Sequence, residues 1–357
     1  MLSFSIPSSY EALNLVMKYY PDNFSEKAKV EIETLFAHCL EGLSDDSEKF
    51  LSTLFIKSLK NYIGPTSINE HIYLKKYEIP QIQLFNILIR EFPFVRISQQ
   101  ITNGIIVNLL KQNEYVTIID IGIGQGTQIK NLIELSKGMD NLKKLKIVGI
   151  EPFNEALIKA EESICALREQ VPFELVFCGI NSFAESTDFG QFANEPGAVI
   201  VNASLALHHI QSLEQRSEVI SKIRAIHPLA FLMIEPNVDH YEPDFYRRFQ
   251  NCYRHFYSIF QVIDRLDIDI IDKNALKLFF GREIEDIIGK RDGDRYERHE
   301  PAYRWIEKLR QSDFKIKSDY FEMPIETQMG IKIQFQKEGF LGFTFESETV
   351  LSIIYAE

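Results

Sequence analysis

Residues 116–126 read VTIIDIGIGQG, a short β-branched apolar run that ends in three glycines. Such a run is typical of a buried parallel strand that leads into a tight turn. Further apolar runs follow, each separated from the last by helical sequence, at residues 145–151, 173–179, 198–204 and 230–236. Strands that alternate with helices predict an α/β fold built on an open, doubly wound, mostly parallel sheet.

Helical sequence precedes the first predicted strand and also follows the fifth. Residues 1–112 space their apolar side chains at helical period, which predicts an N-terminal helical cap. The predicted core covers residues 113–242, and residues 243–290 form an aromatic-rich helical insertion that joins the cap. Residues 291–357 contain one more helix and three strand-like runs, FKIKSDYF, KIQFQ and TVLSIIYA. We expect them to complete the core sheet with an antiparallel C-terminal strand.

The composition excludes several classes of protein. The 357 residues have a formal net charge of −12, with 45% hydrophobic and 25% charged side chains, which are globular values. This length suits two modules, or one large α/β domain with an elaborated cap. An acidic chain has no general attraction for phosphate backbones, so we expect no direct nucleic-acid partner. Neither a membrane span nor a secretory signal is found, so we expect no membrane partner.

Cysteines and histidines give little evidence of redox or metal chemistry. The four cysteines stand alone, without a CxxC pair, which suits free thiols and a cytoplasmic location. The histidines lack HExxH or HxxxH spacing, so the sequence predicts no metal site. His299, within Arg298-His299-Glu300, is interpreted as part of a structural charge network. A GxSxG nucleophile motif is also missing.

The glycine-rich loop is the strongest indication of a ligand site. Gly122, Gly124 and Gly126 follow Asp120 as GxGxG, whereas the nicotinamide-dinucleotide fingerprint is GxGxxG, so an NAD-linked oxidoreductase is disfavoured. Glycines let the backbone turn sharply and approach a ligand, although a purely structural turn is the alternative. Glu151 ends the next strand, where a carboxylate can accept hydrogen bonds from ribose hydroxyls; a solvated strand-end acid is the alternative. Together these features favour a nucleoside ligand.

The loop resembles the nucleoside-binding loop of S-adenosylmethionine-dependent methyltransferases. This resemblance implies that S-adenosylmethionine is the cofactor and that the three loop glycines, Asp120 and Glu151 bind it. We assign Pro152, Asn181 and Asn202 to the same cofactor site. Oligomeric state and the identity of the acceptor are not determined by these residues.

Candidate catalytic residues follow the fourth and fifth predicted strands. Residues 202–209, NASLALHH, resemble the segment that faces the reacting centre in many small-molecule methyltransferases. Either His209 or His240 is the predicted base for a hydroxyl acceptor, because an unperturbed imidazole titrates near neutrality. His240 is favoured of the two, since the segment after the fifth strand leads directly into the predicted cap. Glu235 is predicted to orient that imidazole. A histidine that only caps or packs is the alternative.

A longer resemblance covers most of the chain, in the right order. Residues 281–311, GREIEDIIGKRDGDRYERHEPAYRWIEKLRQ, resemble the GREI…ERVERHE…W segment of the GRAS domain, best known from plant transcriptional regulators. VTIIDIGIGQGTQ is similar to the VHIID motif of that family, ALHHI (206–210) to its leucine–histidine segment, residues 242–264 to its PFYRE region, and residues 342–357 to its SAW region. The stretch around Asn103 also fits the family.

Two departures from the plant pattern guide the functional interpretation. Plant members usually replace the loop glycines that are all present here, and Ser352-Ile353-Ile354 stands in place of the SAW tryptophan. The resemblance therefore implies a bacterial-type GRAS protein with a Rossmann-like methyltransferase sheet, which transfers a methyl group to a small-molecule acceptor under the helical cap. The alternative is a non-catalytic GRAS-type regulatory module that binds protein partners and still holds the cofactor.

Overall fold

A central β-sheet with helices on both faces forms the core of the protein. The structure is a computed structural model that describes residues 9–18, 26–40, 47–63, 87–321 and 324–357. Its mixed α/β architecture confirms the predicted fold class. The parts of the predicted helical cap at residues 1–8, 19–25, 41–46 and 64–86, which include the start of a helix predicted at 82–92, lie outside the described ranges.

The helices are numbered here in chain order. They are α1 (Ser9–Lys18), α2 (Glu26–Leu40), α3 (Ser47–Ile63), α4 (Pro93–Leu110), α5 (Thr127–Ser136), α6 (Asn154–Cys165), α7 (Leu213–Ala225), α8 (Phe245–Asp264), α9 (Ile270–Gly289) and α10 (Ala302–Gln311). Local sequence explains several starts: Pro93 occupies the first turn of α4, and the side chains of Asp244 and Asp269 accept backbone N–H groups at the starts of α8 and α9. No helix within the described ranges has the length and apolarity needed to cross a bilayer.

The strands follow the predicted apolar runs closely in the first part of the sheet. They are β1 (Tyr115–Ile121), β2 (Lys144–Ile150), β3 (Glu174–Ile180), β4 (Ala198–Ser204), β5 (Ala230–Pro236), β6 (Ile316–Lys317), β7 (Ile325–Glu326), β8 (Ile331–Phe335), β9 (Leu341–Phe345) and β10 (Glu348–Ala356).

The strand order places a ligand crevice beside β1. The described strands run in the order β3-β2-β1-β4-β5-β10-β9-β8-β7, with β6 paired to β10. Strands β1 to β5 are parallel, and β10 pairs antiparallel with β5, as predicted for the C-terminal strand. The chain order reverses between β1 and β4, and in open α/β sheets ligands bind outside the carboxyl ends of the strands at such a switch point. The glycine loop begins there.

Burial on both faces explains why the parallel strands read as continuous apolar runs. Ile118 of β1 packs in one cluster with Ile106 of α4 and Ile129 of α5. The next residue, Ile119, points to the opposite face and packs in a cluster that includes Trp305 of α10. Successive strand residues point to opposite faces, so a strand covered twice has no polar face.

A third hydrophobic cluster joins the N-terminal helices to the 243–290 region. Phe55 of α3 meets Phe249 of α8 edge to face, with ring centroids 5.5 Å apart. Helices α3 and α9 approach so closely that a Cβ at Gly289 would lie 2.9 Å from the backbone oxygen of Ser58. This cluster also includes Ile234 of β5, so these helices pack against the sheet. The exact boundaries after residues 112, 242 and 290 stay predictions.

The last sixty residues differ most from expectation. Of the predicted run at 314–321, only Ile316–Lys317 forms a strand, because β6 pairs with just Tyr355 and Ala356 at the end of β10. The remainder of that flank of β10 is taken by β9, which the sequence did not indicate as a separate strand.

Candidate active site

A large cavity opens where the carboxyl ends of the parallel strands meet the cap helices. Its volume is about 1240 Å³, and its lining includes the glycine loop, the residues after β2 and β4, the last residue of β5, and side chains of α8 and α9. Typical ligand pockets measure ~300–1,000 Å³. The cavity therefore has room for more than one small ligand.

The three glycines of the loop have different structural roles. All have positive φ, at 72° for Gly122, 54° for Gly124 and 76° for Gly126, a region that favours glycine. A Cβ at Gly122 would lie 2.7 Å from the Cβ of Ala206, and one at Gly126 would lie 3.2 Å from Ala160, so both serve close packing. Beside Gly124 no protein atom lies within 4 Å of the added Cβ, and this residue lines the cavity. Gly124 is therefore where a ligand can approach the backbone.

Glu151 is buried and holds the loop in place. Only 5% of the residue is exposed, and its Oε2 accepts the backbone N–H of Gly124 at 2.9 Å while Oε1 accepts that of Phe153 at 3.1 Å. Burial raises the pKa of Glu151, and the two backbone donors oppose that rise. Asn181 donates to the backbone oxygens of Glu151 and Pro152, both at 3.0 Å. Pro152 lines the cavity, whereas Asn181 is not among the lining residues and supports the strand end.

A buried amide network positions Asp120. Asn202 donates from Nδ2 to Asp120 Oδ1 at 2.7 Å and, at 3.4 Å, to Gln128 Oε1. Gln128 in turn donates to Asn103 Oδ1 at 3.2 Å, which links α4 and α5 to strands β1 and β4. Asp120 lines the cavity, and Asn202 lies behind it. Burial raises the pKa of Asp120 to about 7, and the nearby charge of Glu151 adds to the rise. The hydrogen bond from Asn202 acts in the opposite direction and lowers the pKa.

The raised pKa of Asp120 predicts that the wild-type protein becomes less stable, relative to an Asp120→Asn variant, as the pH rises. The unfolded carboxyl loses its proton near pH 3.8, whereas the folded one retains it to about pH 7. Stability contributed by neutral Asp120 is therefore lost as the pH rises from about 4 to 7. Asp120→Asn is neutral at every pH and still offers Asn202 an acceptor. We expect its free energy of unfolding, relative to the wild type, to increase by about 2 kcal/mol between pH 5 and pH 8 in urea titrations. An equal difference at both pH values would contradict the assignment.

Glu235 contacts a different histidine from the two predicted. It is fully buried at the end of β5 and accepts the backbone N–H groups of Leu207 at 2.8 Å and Ala206 at 3.3 Å. Its Oε2 lies 2.6 Å from Nδ1 of His208. Burial raises the pKa of Glu235 to about 7, although these hydrogen bonds oppose the rise. Glu235 therefore orients His208 instead of His209 or His240.

Only one of the two predicted bases borders the cavity. The His209 side chain is 28% exposed and lines the cavity, with its ring 4.0 Å from that of His208. His240 is fully buried and is not among the lining residues. Its backbone N–H donates to the oxygen of His299 and its own oxygen accepts from Arg295, which fixes it in the core. Burial lowers the pKa of His240 well below the usual value.

Sequence reasoning missed a cluster of buried carboxyl groups on the cavity wall. Glu283 of α9 and Glu297 are both buried, and Nε2 of His299 lies 3.2 Å from Glu297 Oε2. Asp286, one turn after Glu283, accepts the backbone N–H of Glu297 at 2.7 Å. Burial and the charges of Glu297 and Asp286 raise the pKa of Glu283 well above its usual value. No local motif indicates this cluster, because its members come from a helix and from a later loop.

Comparison with known proteins identifies the family. A family model described as the GRAS domain family matches residues 21–348. This chain belongs to the GRAS domain family. Scarecrow-like transcription factor PAT1 of Arabidopsis thaliana is 24% identical over 300 residues, which are 79% of this chain and 58% of that protein. DELLA protein RGL3 of the same plant is 23% identical and covers 62% of this chain and 44% of its own length. The chain thus spans about half the length of these relatives.

Solved structures agree with the GRAS assignment at the level of the fold. SCL7 of Oryza sativa superposes with a TM-score of 0.79 at 17% identity, over 98% of this chain and 99% of that one. The DszA carbon methyltransferase gives a TM-score of 0.50 at 11% identity, over 93% of this chain and 72% of that one. At such identities the likeness concerns the fold alone. The predicted family is confirmed, whereas the bacterial-type assignment gains no support, since the named relatives are plant proteins.

Proposed function

We propose that this GRAS-family protein is an S-adenosylmethionine-dependent methyltransferase acting on a small-molecule acceptor. The observation that carries the proposal is a single cavity that touches both the glycine loop with Glu151 and the wall that holds His208 and His209. Cofactor and acceptor can therefore meet in one enclosed space. A sulfonium methyl group is already electrophilic, so alignment of the acceptor and exclusion of water supply much of the catalysis.

The residues at the loop suit a nucleoside cofactor. Gly124 leaves open space for close approach, and each oxygen of Glu151 retains a lone pair beyond its backbone bond for a ribose hydroxyl. Phe183 lines the cavity and is 55% exposed, which offers a face for a purine ring. Asn181 and Asn202 act through the residues they position. When bound, the cofactor supplies the methyl group.

The remaining part of the cavity suits an apolar acceptor with one polar end. Aromatic side chains from both cap segments line it, among them Phe92, Phe279 and Phe280. His209 is the base for a hydroxyl acceptor, because it is the predicted histidine that reaches the cavity. His240 takes no part in proton transfer in this proposal, since it does not line the cavity. The cytoplasmic location stays a prediction.

A non-catalytic regulatory module is the second candidate function. It is favoured by the relatives, one of which is named a transcription factor. It is also favoured by the start of α9, where Ile270 and Ile271 are 58% and 70% exposed and offer apolar contact to a protein partner. Incubation with methyl-labelled S-adenosylmethionine and a small-molecule extract separates the candidates. Label in a low-mass product supports the enzyme, and cofactor binding without any transfer supports the regulator.

Glu151→Gln tests the ribose contact. Glutamine keeps the size of the side chain and one acceptor oxygen, but it loses the charge that strengthens hydrogen bonds from hydroxyl groups. We expect calorimetry to show roughly 10-fold weaker binding of S-adenosylmethionine. Glu161→Gln makes the same chemical change at an exposed position of α6 that does not line the cavity, and it should leave the affinity unchanged. Unchanged affinity in folded Glu151→Gln would remove Glu151 from the cofactor site.

A further inference from the structure

The cluster of Glu283, Glu297 and His299 lies beside the cavity and brings two buried carboxyl groups close together. Glu283 and His299 line the cavity, and Glu297 is completely buried behind them. Two more carboxylates, Glu297 and Asp286, repel a negative charge on Glu283 and so raise its pKa. Lys290 forms an ion pair with Asp286, so that carboxylate is compensated. Buried carboxylates that lie close together need a counter-charge or a shared proton.

Glu297 has three imidazoles nearby but no hydrogen bond: Nε2 of His299 lies 3.2 Å, Nε2 of His208 3.6 Å and Nδ1 of His209 3.7 Å from its oxygens. Neither of its carboxylate oxygens accepts a hydrogen bond from the part of the chain that the structure describes. Nδ1 of His299 is likewise buried without a hydrogen-bond partner in those residues. A buried polar group that lacks its partners costs about 1–3 kcal/mol, and more if it is charged. The unpaired atoms of this cluster therefore destabilise the ligand-free protein, and a bound ligand would remove that destabilisation.

The spacing of the atoms fits a metal ion better than hydrogen bonds. Nε2 of His299 is 3.2 Å from Glu297 Oε2, which is long for a charge-assisted hydrogen bond of ~2.7–2.9 Å. Two ligand atoms at tetrahedral angles, each ~2.0–2.2 Å from a metal, lie about 3.4 Å apart. One donor atom from each of Glu283, Glu297 and His299 can be chosen so that all lie within 4.8 Å of one another. A modest side-chain rotation brings such a set into one coordination sphere.

We propose that Glu283, Glu297 and His299 bind a divalent first-row transition metal. Two carboxylates and one imidazole form a mixed oxygen and nitrogen donor set that suits zinc, iron or manganese. Because Glu283 and His299 line the cavity, further coordination positions are open to water or to an oxygen atom of a ligand. This assignment departs from the sequence-based prediction of no metal site, and it does not depend on methyl transfer.

The proposed ligands are held in position before a metal arrives. Asp286 Oδ2 accepts the backbone N–H groups of Tyr296 and Glu297, both at 2.7 Å, which fastens the loop to α9 beside Glu283. His299 is fixed through its backbone oxygen, which accepts from the N–H of His240. Fixed ligands with an entry path are what a metal site requires. The arrangement is thus preorganised, and the cavity supplies the path.

Calorimetry with the metal alone tests the site. The full-length protein, freed of metal with EDTA and dialysed, is titrated with zinc chloride and separately with manganese chloride. We expect one equivalent of at least one ion to bind and to raise the unfolding temperature. Glu297→Gln and Glu283→Gln should each weaken this binding by more than about 100-fold. Loss of a residue that only supports a metal ligand already costs up to about 100-fold in affinity, and these two residues are proposed as ligands themselves. Absence of binding by the wild type overturns the proposal.

Two controls separate this site from surface binding and from misfolding. His38→Gln removes an exposed histidine on α2 and should leave both the affinity and the stoichiometry unchanged. In EDTA, circular dichroism should show that Glu297→Gln still folds, because glutamine keeps the size of the side chain and Glu297 accepts no hydrogen bond that would be lost. Unchanged metal affinity in both Gln variants would assign the cluster to a proton-sharing charge network. If a variant fails to fold, the visible absorption of cobalt(II) on the wild type decides whether nitrogen and oxygen ligands bind it.

Discussion

Replacing Arg216 by methionine is expected to lower the free energy of unfolding by about 3–5 kcal/mol, because removal of one partner from a buried ion pair typically has that effect. Arg216 on α7 is completely buried, and its Nη1 donates to Glu300 Oε2 at 2.7 Å. Its other nitrogens donate to the backbone oxygens of Ile210, His208 and Arg298. One guanidinium thus ties the segment that holds His208 and His209 to the loop of Glu297. Methionine fills the space but leaves Glu300 with only its ion pair to Lys308 and removes a donor from each of the three backbone oxygens.

Urea titration of Arg216→Met measures this effect, and the same helix offers a matched control. Lys222 is exposed on α7 and makes only a long contact of 3.4 Å to a backbone oxygen. Lys222→Met should change the free energy of unfolding by less than about 0.5 kcal/mol. If Arg216→Met were no more destabilising than Lys222→Met, the guanidinium would not hold the two segments together.

Gly124→Val is expected to weaken S-adenosylmethionine binding by roughly 100-fold. Extra side-chain atoms in a space that the ligand fills cost about 1–3 kcal/mol, and the upper part of that range corresponds to this loss of affinity. In the free protein the added Cβ meets nothing within 4 Å, so the side chain occupies the space that the proposed ligand needs. Calorimetry of the variant measures the loss. Normal affinity would mean that the loop is only a turn and that the ligand lies elsewhere.

Valine at a positive φ also strains the backbone, and a second glycine controls for that strain. Gly330 has φ of 81° in the turn before β8, away from the cavity lining, and an added Cβ there would lie 2.9 Å from the end of the flexible Arg265 side chain and 3.9 Å from the ring of Phe345. Gly330→Val carries a similar backbone cost of about 1–3 kcal/mol. It should lower stability about as much as Gly124→Val while leaving cofactor affinity unchanged.

The parallel half of the fold was predictable because its signals are local. Strands β1, β4 and β5 are covered on both faces, so each reads as a nearly unbroken apolar run, whereas the edge strand β3 is exposed at Glu174 and Cys178. The C-terminal strands were harder, because β6 is only two residues long and β9 begins directly after a turn that contains Gly339. Pairing with the distant end of β10 defines β6, and such pairing leaves little trace in sequence. β9 pairs with its neighbours in sequence, but its five residues, LGFTF, include Gly342, which interrupts the apolar run.

Site residues divide in the same way. The glycine loop and Glu151 were found because each stands directly after a strand in a recognisable pattern. The burial of Glu151 was not foreseen, since it depends on the backbone N–H groups of Gly124 and Phe153. The choice of His208 over its neighbour as the partner of Glu235 depends on a short 3₁₀ turn at residues 207–209. Adjacent histidines cannot be told apart by spacing alone.

Calorimetric titration of the wild-type protein with S-adenosylmethionine is the decisive test of the proposed cofactor site. We expect saturable binding of one molecule per chain, competition by S-adenosylhomocysteine at the same site, and weaker binding in Gly124→Val and Glu151→Gln. A folded wild-type protein that binds neither compound would contradict it, and the cavity beside Gly124 would then have to serve another ligand.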